Sequence, residues 1–268
     1  MDGRAVNTWE LGDGSTTVAF AGDWHGVSDG VFQALKRLSD AGITRVYHVG
    51  DFAIWPDKSG TKFLNTVNGY AEDLGLGIAV TPGNHEDWAY LDSALTIVDP
   101  EPFFVRPRIA VLPRAHRWSH AGRSFVSFGG SASIDYEYRT PRRNWWPEEL
   151  PTGADLEHIK AGGRADIMIT HDSPIPGTPM VEQIRSSNPQ GWSEAALAYA
   201  AGSARMITDA WNAVQPHTLV HGHFHVRDTT TLPTGQRIFS LAAEQAVGNV
   251  MVLNLRDLST KWLEDLGA

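Results

Sequence analysis

The sequence predicts a mixed α/β fold organised on a parallel sheet, and three observations lead there. Through about residue 90, strand-length apolar runs alternate with stretches of helical periodicity. Each of the first three strands ends in polar residues, which puts a binding site at the carboxyl ends of the sheet. The 268 residues, 42% hydrophobic and 20% charged, suit one soluble globular domain whose core needs no disulfide staples.

Residues 16–21 read as a buried strand running into Gly22-Asp23-Trp24-His25. Ser28 is placed to cap a helix to about residue 39, with Val31, Leu35 and Leu38 on one face. A strand over 43–49 ends in Gly50-Asp51. A helix over about 62–74 leads into a third strand, halted by the Pro-Gly turn of Thr81-Pro82-Gly83-Asn84-His85-Glu86. Segments 103–112 and 115–130 read as short strands, with residues 121–123 as a turn. From 131 to about 151 the chain is an irregular insertion rich in Arg and Trp. Residues 165–170 form another buried strand, ending in His171-Asp172, and a Pro/Gly/Ser-rich loop follows over about 173–191. Ser193 starts a helix to about Val214. A strand over 218–220 runs into His221-Gly222-His223-Phe224-His225, and two or three strands, including 236–241 and 249–255, finish the chain. No repeats or linkers stand out, so residues 1–268 read as a single domain.

The absence of cysteine excludes disulfides, thiolate metal sites and a cysteine nucleophile, and suits a reducing, cytoplasmic setting. Met1-Asp2-Gly3-Arg4 leads into no long apolar run, so no signal peptide is expected. No stretch of about 18 apolar residues occurs, so no membrane span is expected. A net charge of −9 argues against a protein that coats nucleic acid. Eight arginines nevertheless lie between Arg106 and Arg143, opposed there by only Asp135 and Glu137. They form either a solvated face or a phosphate-facing one.

Five strand ends carry metal-type residues: Asp23 with His25, Asp51, Asn84 with His85, His171, and His223 with His225. On an extended backbone the Asp-x-His and His-x-His pairs each put both side chains on one side. One divalent ion takes about four to six ligands. The set is too large for one ion and suits two, with Asp51, arriving alone, as the natural bridge. Two ions about 3.5–4 Å apart are the arrangement for in-line attack at phosphorus. His48 sits mid-strand and reads as a packed residue; His116, His120, His158 and His217 carry no signal. His221 shares strand parity with His223 and His225 and is a candidate support, as are Glu86 and Asp172.

The five motifs, in this order, resemble those of the calcineurin-like metallophosphoesterase family over residues 16 to about 226. The resemblance implies a four-layer α-β-β-α sandwich with two central mixed β-sheets. It implies that Asp23, His25 and His225 hold one divalent ion and that Asn84, His171 and His223 hold a second, with Asp51 bridging. Manganese is the first choice, with iron, zinc, nickel, cobalt or magnesium as alternatives. His85 is then no ligand but lies near the substrate. Two divalent ions against two aspartates and a bridging hydroxide leave about one positive charge, which draws an anionic phosphate despite the acidic total. The resemblance implies attack by that hydroxide on phosphorus, with an imidazolium at His85 protonating the leaving group.

Departures from relatives narrow the choice. Phe52-Ala53-Ile54-Trp55 follows the bridging aspartate where protein phosphatases and dinucleoside tetraphosphatases carry a Val-Asp-Arg-Gly-like stretch, so that phosphate-binding arginine is missing. Ile54 stands where purple acid phosphatases place a tyrosine ligand, and 268 residues leave no room for the capping domain of the double-strand-break nucleases. The reading is a small phosphodiesterase acting on phosphodiester or nucleotide substrates, with nucleic acid not favoured. A phosphomonoesterase or nuclease on the same site is the alternative, and an inactive metal-binding scaffold the third. In the 131–151 insertion, tryptophans can stack bases and arginines bind phosphate, with Arg139 singled out as a substrate-binding residue. The competing reading is a loop whose tryptophans plug the edge of the core.

Overall fold

A computed structural model describes residues 9–94 and 101–266. The stretch Met1–Arg4, where no signal peptide is expected, lies outside the described residues. In chain order the elements are β1 (Thr17–Ala21), α1 (Val31–Asp40), β2 (Arg45–His48), α2 (Lys58–Asp73), β3 (Gly77–Val80) and α3 (Trp88–Ala94). Then come β4 (Phe103–Arg106), β5 (Ile109–Val111), β6 (Arg117–His120), β7 (Arg123–Phe128), α4 (Gly153–Ala161), β8 (Ile167–Thr170), α5 (Pro179–Ser187) and α6 (Glu194–Val214). The chain closes with β9 (Thr218–His221), β10 (Asp228–Thr231), β11 (Arg237–Ser240), β12 (Val250–Asn254) and β13 (Thr260–Trp262).

Two mixed sheets result. The first has the order β13-β12-β1-β2-β3-β5-β4 and the second β10-β11-β9-β8-β7-β6. The β1-β2-β3 run is parallel, as the alternating strands and helices predict. Side-chain alternation then builds the layers. In the first sheet Val18, Phe20, Tyr47, Ala79 and Met251 point inward to meet Phe125, Ile167, Ile169, Val220 and Phe239 of the second. The alternate residues Ala19, Ala21, Val46, Ile78 and Val80 face outward and are covered by Val31, Leu35 and Leu38 of α1 and by Phe63, Leu64 and Val67 of α2. On the far side Val126, Phe128, Met168 and Leu219 meet Ile159 of α4 and Ile207, Ala210, Trp211 and Val214 of α6. The molecule is the four-layer α-β-β-α sandwich. Both faces of each central strand are apolar, as strands covered on both sides require.

Several boundaries differ from the expectation. Gly30, at φ 83°, precedes α1 as its cap in place of Ser28. Helix α2 starts at Lys58, well before residue 62, because the Asp57 carboxylate accepts the Gly60 N–H at 2.8 Å. The expected loop over 173–191 contains the nine-residue α5, which opens with Pro179 directly after Thr178, a proline-start signal hidden by the stretch's composition. Helix α4 begins with a Thr152/Asp155 capping box. Four strands, β10 to β13, finish the chain where two or three were expected; β10 is Asp-Thr-Thr-Thr and half-exposed, so it carries no apolar pattern. Among the described residues, no helix is long and apolar enough to cross a membrane.

Candidate active site

All eight candidate residues lie just beyond strand ends: Asp23 and His25 after β1, Asp51 after β2, Asn84 and His85 after β3, His171 after β8, and His223 and His225 after β9. The structure brings them together from both sheets, by a device different from the strand parity expected. Asp23, His25, Asp51, His223 and His225 have φ of 54°, 46°, 54°, 69° and 55°. Their backbone is left-handed, not extended, so the pairs turn inward through tight bends after the strands have ended. Such backbone is costly for residues with a Cβ and concentrates at functional sites. The same correction removes the parity argument for His221.

Asp23, His25, Asp51 and His225 each offer one ligand atom within 4.8 Å of the others. His25 Nε2 is 3.3 Å from Asp51 Oδ2, and His225 Nε2 is 3.5 Å from Asp23 Oδ1. Ligands about 2.1 Å from a common ion stand about 3.0–3.5 Å from one another, so these separations fit a shared cation. Asp23 Oδ1 accepts the His223 N–H at 2.9 Å, while Asp23 Oδ2 is buried with no hydrogen-bond partner. An unpartnered buried carboxylate oxygen costs free energy unless a cation faces it. A Cβ at Gly222 would collide with that carboxylate, and one at Gly83 with Asp51 Oδ1, which is why both positions are glycine.

Beside this group, His171 Nε2 lies 3.3 Å from Asp51 Oδ2 and 3.2 Å from Asn84 Oδ1, and the His223 ring centroid is 5.1 Å from that of His171. Two supports fix the donors. His171 Nδ1–H donates to the Val49 carbonyl at 2.8 Å, leaving Nε2 inward. Asn84 Nδ2 donates to Ser133 Oγ at 3.0 Å, and Ser133 in turn donates to Glu149 at 2.7 Å, so the Asn84 oxygen is the atom turned toward His171. His25 Nδ1 is likewise held, at 3.0 Å from Glu244 Oε2. Ser133, Glu149 and Glu244 were missed in the sequence because they sit in irregular segments, where no spacing marks a partner.

His85 stands apart from the two donor sets. Its Nε2 is 3.9 Å from Asp51 Oδ2 and accepts from Arg139 Nη2 at 3.1 Å; Asp135 holds Arg139 at 2.6 Å. Trp55 Nε1 binds the His85 carbonyl, and the His85 N–H donates to Asp51 Oδ1 at 2.9 Å. Glu86 is fully buried and staples two site loops, accepting from Phe52 N and Gly83 N, both at 2.6 Å, and from Ala53 N at 3.3 Å. Asp172, also buried, accepts from Ser173 N and Ser203 Oγ.

The electrostatics are those of a site that collects positive charge around Asp51. Burial opposes the charged forms of His25 and His171, yet the Asp51 carboxylate outweighs it and lifts them to about 9 and about 10. Burial alone would raise Asp51; the surrounding imidazoles, His171 foremost, hold it well below the usual carboxylate range. Burial, reinforced by Arg139, pushes His85 down against the pull of Asp51. Perturbations of this kind, clustered in one place, mark functional sites.

Two further histidines are structural. His48 is buried against Trp24 and Phe52, with ring centroids 4.7 and 4.8 Å away. His221 is buried, its Nδ1–H donates to the Gly222 carbonyl, and burial lowers it to about 4. The insertion divides between its two readings. Trp146 is buried in the core and Trp145 donates to Glu149 at 3.0 Å, so the tryptophans plug the edge; Arg139 is the part that reaches the site. Most of the arginine cluster is spent on internal partners. Arg114 binds the carbonyls of Gly129, Glu148 and Glu149, Arg117 those of Ile159, Gly163 and Arg164, and Arg123 those of Leu255 and Arg256.

The fold is similar to that of TT1561 from Thermus thermophilus, at 12% identity over 92% of this chain and 97% of that one, with a TM-score of 0.55. It is also similar to that of a dimetal phosphatase from Danio rerio, at 11% identity over 93% of this chain and 96% of that one, with a TM-score of 0.58. No curated protein matches the sequence. The family model for calcineurin-like phosphoesterases matches residues 16–227, from the first strand through the last histidine of the site. The chain belongs to the calcineurin-like phosphoesterase family.

Proposed function

We propose that the protein is a metal-dependent phosphoesterase that hydrolyses phosphodiester bonds in nucleotide-type substrates. One observation carries this: Asp51 Oδ2 is 3.3 Å from both His25 Nε2 and His171 Nε2, so one carboxylate oxygen faces both donor sets. Asp23, His25 and His225 would hold one divalent ion with Asp51, and Asn84, His171 and His223 the other. Bound there, two divalent ions would activate water and offset charge on the phosphate. The dimetal phosphatase of similar fold supports two ions rather than one. Manganese at both positions and a cytoplasmic setting belong to the same proposal.

Three carboxylates, Asp23, Asp51 and Glu244, stand at or beside the donor groups. Against two doubly charged ions and an activated hydroxide they leave no net charge, so the site holds no surplus that would favour a doubly charged monoester over a singly charged diester. Arg139, the guanidinium that touches the catalytic group, would bind a phosphate oxygen. His85 would deliver a proton from Nε2 to the leaving oxygen. Burial holds His85 below its ordinary value, so this role needs the anionic ester beside it to favour the imidazolium. A small diester fits better than nucleic acid, because the arginines beyond Arg139 are largely occupied within the fold. A monoesterase is the second reading, since the relative of similar fold is described as a phosphatase.

Purified protein is to be stripped with chelator, reloaded with Mn²⁺, and assayed with bis- and mono-nitrophenyl phosphate. Metal-dependent turnover with the diester preferred is the expected result. Dominant monoester turnover replaces the diesterase with the second reading, and no hydrolysis with any divalent metal sinks the enzyme.

A further inference from the structure

A cleft of about 600 Å³ opens between α5, α6 and the loop that follows β9, and both His223 and His225 lie in its wall. It adjoins the candidate site through these two histidines, so an ester whose phosphorus sits at the donor groups can send one of its organic groups along it. The volume falls in the range of small-molecule sites, about 300–1,000 Å³. The wall along α6 is cut back: Leu197, Ala200, Ala201 and Ala204 recur at helical spacing on one face, and three of the four are alanine.

Two aromatic rings, Trp192 and Phe224, line the space, and the Arg185 guanidinium lies 5.0 Å from the Phe224 centroid. Polar residues complete the wall, among them Ser186 and Gln190. An acyl chain would use the apolar surface and leave these polar groups facing hydrocarbon. A flat heteroaromatic ring uses both, stacking its face and hydrogen-bonding at its rim.

We propose that this cleft is the subsite for a nucleobase-like heteroaromatic group carried by the phosphate ester. The proposal rests on the phosphoesterase reading and names where its substrate is selected. Ala201 is not itself a candidate ligand in that reading, so a substitution there fills the cleft without removing any donor group.

The test is calorimetric binding to the Mn²⁺-loaded protein with AMP, ribose 5-phosphate and inorganic phosphate as probes. AMP is expected to bind at least about fivefold more tightly than ribose 5-phosphate, since stacking of one base contributes about 1–3 kcal/mol. Ala201→Trp should abolish that preference while ribose 5-phosphate and inorganic phosphate bind as before, and Ala201→Ser, a folding control, should retain it. Equal affinity for AMP and ribose 5-phosphate in the native protein, with phosphate binding and diester hydrolysis intact, overturns the subsite alone. A preference that survives Ala201→Trp does the same. Failure of all three probes to bind overturns the subsite together with the site reading on which it rests.

Discussion

Replacing Glu149 with glutamine probes the support beneath Asn84. The Glu149 carboxylate accepts from Ser133 N and Ser133 Oγ at 2.6 and 2.7 Å, from Tyr199 OH at 2.9 Å and from Trp145 Nε1 at 3.0 Å. Burial outweighs these four donors and pushes the carboxyl from 4.5 up to about 7. In the unfolded chain the same group ionises near its ordinary value. Below about 4.5 it is protonated in both states and imposes no penalty. Between about 4.5 and 7 the unfolded chain releases the proton and the folded one keeps it, so stability falls as pH rises. At about 1.4 kcal/mol per pH unit of displacement, the full loss is about 3 kcal/mol. Urea unfolding of the chelator-treated protein from pH 4.5 to 8 measures it. The wild type should lose about 3 kcal/mol more than Glu149→Gln across that window. Parallel curves for the two proteins would refute the reasoning, because all other titrating groups are common to both.

Other perturbations read other parts of the site. Glu86→Ala strands the buried N–H groups of Phe52 and Gly83, at about 1–3 kcal/mol each, so urea denaturation should show a loss of about 2–6 kcal/mol; a change within experimental error would mean the loops are held by something else. Gly222→Ala drives a Cβ into the Asp23 carboxylate; Mn²⁺ affinity by calorimetry should fall about 10–100-fold while circular dichroism is unchanged, and unaltered affinity would remove Asp23 from the ligand set. His85→Ala should lower diester turnover about 10²–10⁴-fold with metal content intact, and a variant that instead sheds a metal would show His85 to be a ligand.

Much of the site was legible because its chemistry is short-range in sequence. Asp23 with His25, Asn84 with His85, and His223 with His225 each sit within three residues, directly after an apolar run, and a strand end is easy to locate. Their convergence was legible only in outcome. Extended-strand parity was the wrong reason, because the turns that aim these side chains are left-handed, and no local pattern announces a positive φ at Asp23 or His225. The supports were illegible for a related reason. Glu149 reaches Ser133 across 16 residues of irregular chain, Glu244 reaches His25 across 219, and such pairs have no period to detect. Helix α5 was hidden by composition, its proline marking a helix start within a stretch that otherwise reads as loop. The four layers followed from the resemblance, and the alternation of inward Phe20, Tyr47 and Ala79 with outward Ala19, Val46 and Ile78 supplies their physical cause.

Metal stoichiometry of the wild type and of Asp51→Asn, by equilibrium dialysis against Mn²⁺ with elemental analysis, tests the shared carboxylate directly. Asp51 Oδ2 faces His25 and His171 at the same 3.3 Å, so the wild type should bind two ions per chain and the variant should weaken at both positions together. A wild type that saturates with a single ion, or a variant that keeps full occupancy at either position, would contradict the bridge and the two-ion site built on it.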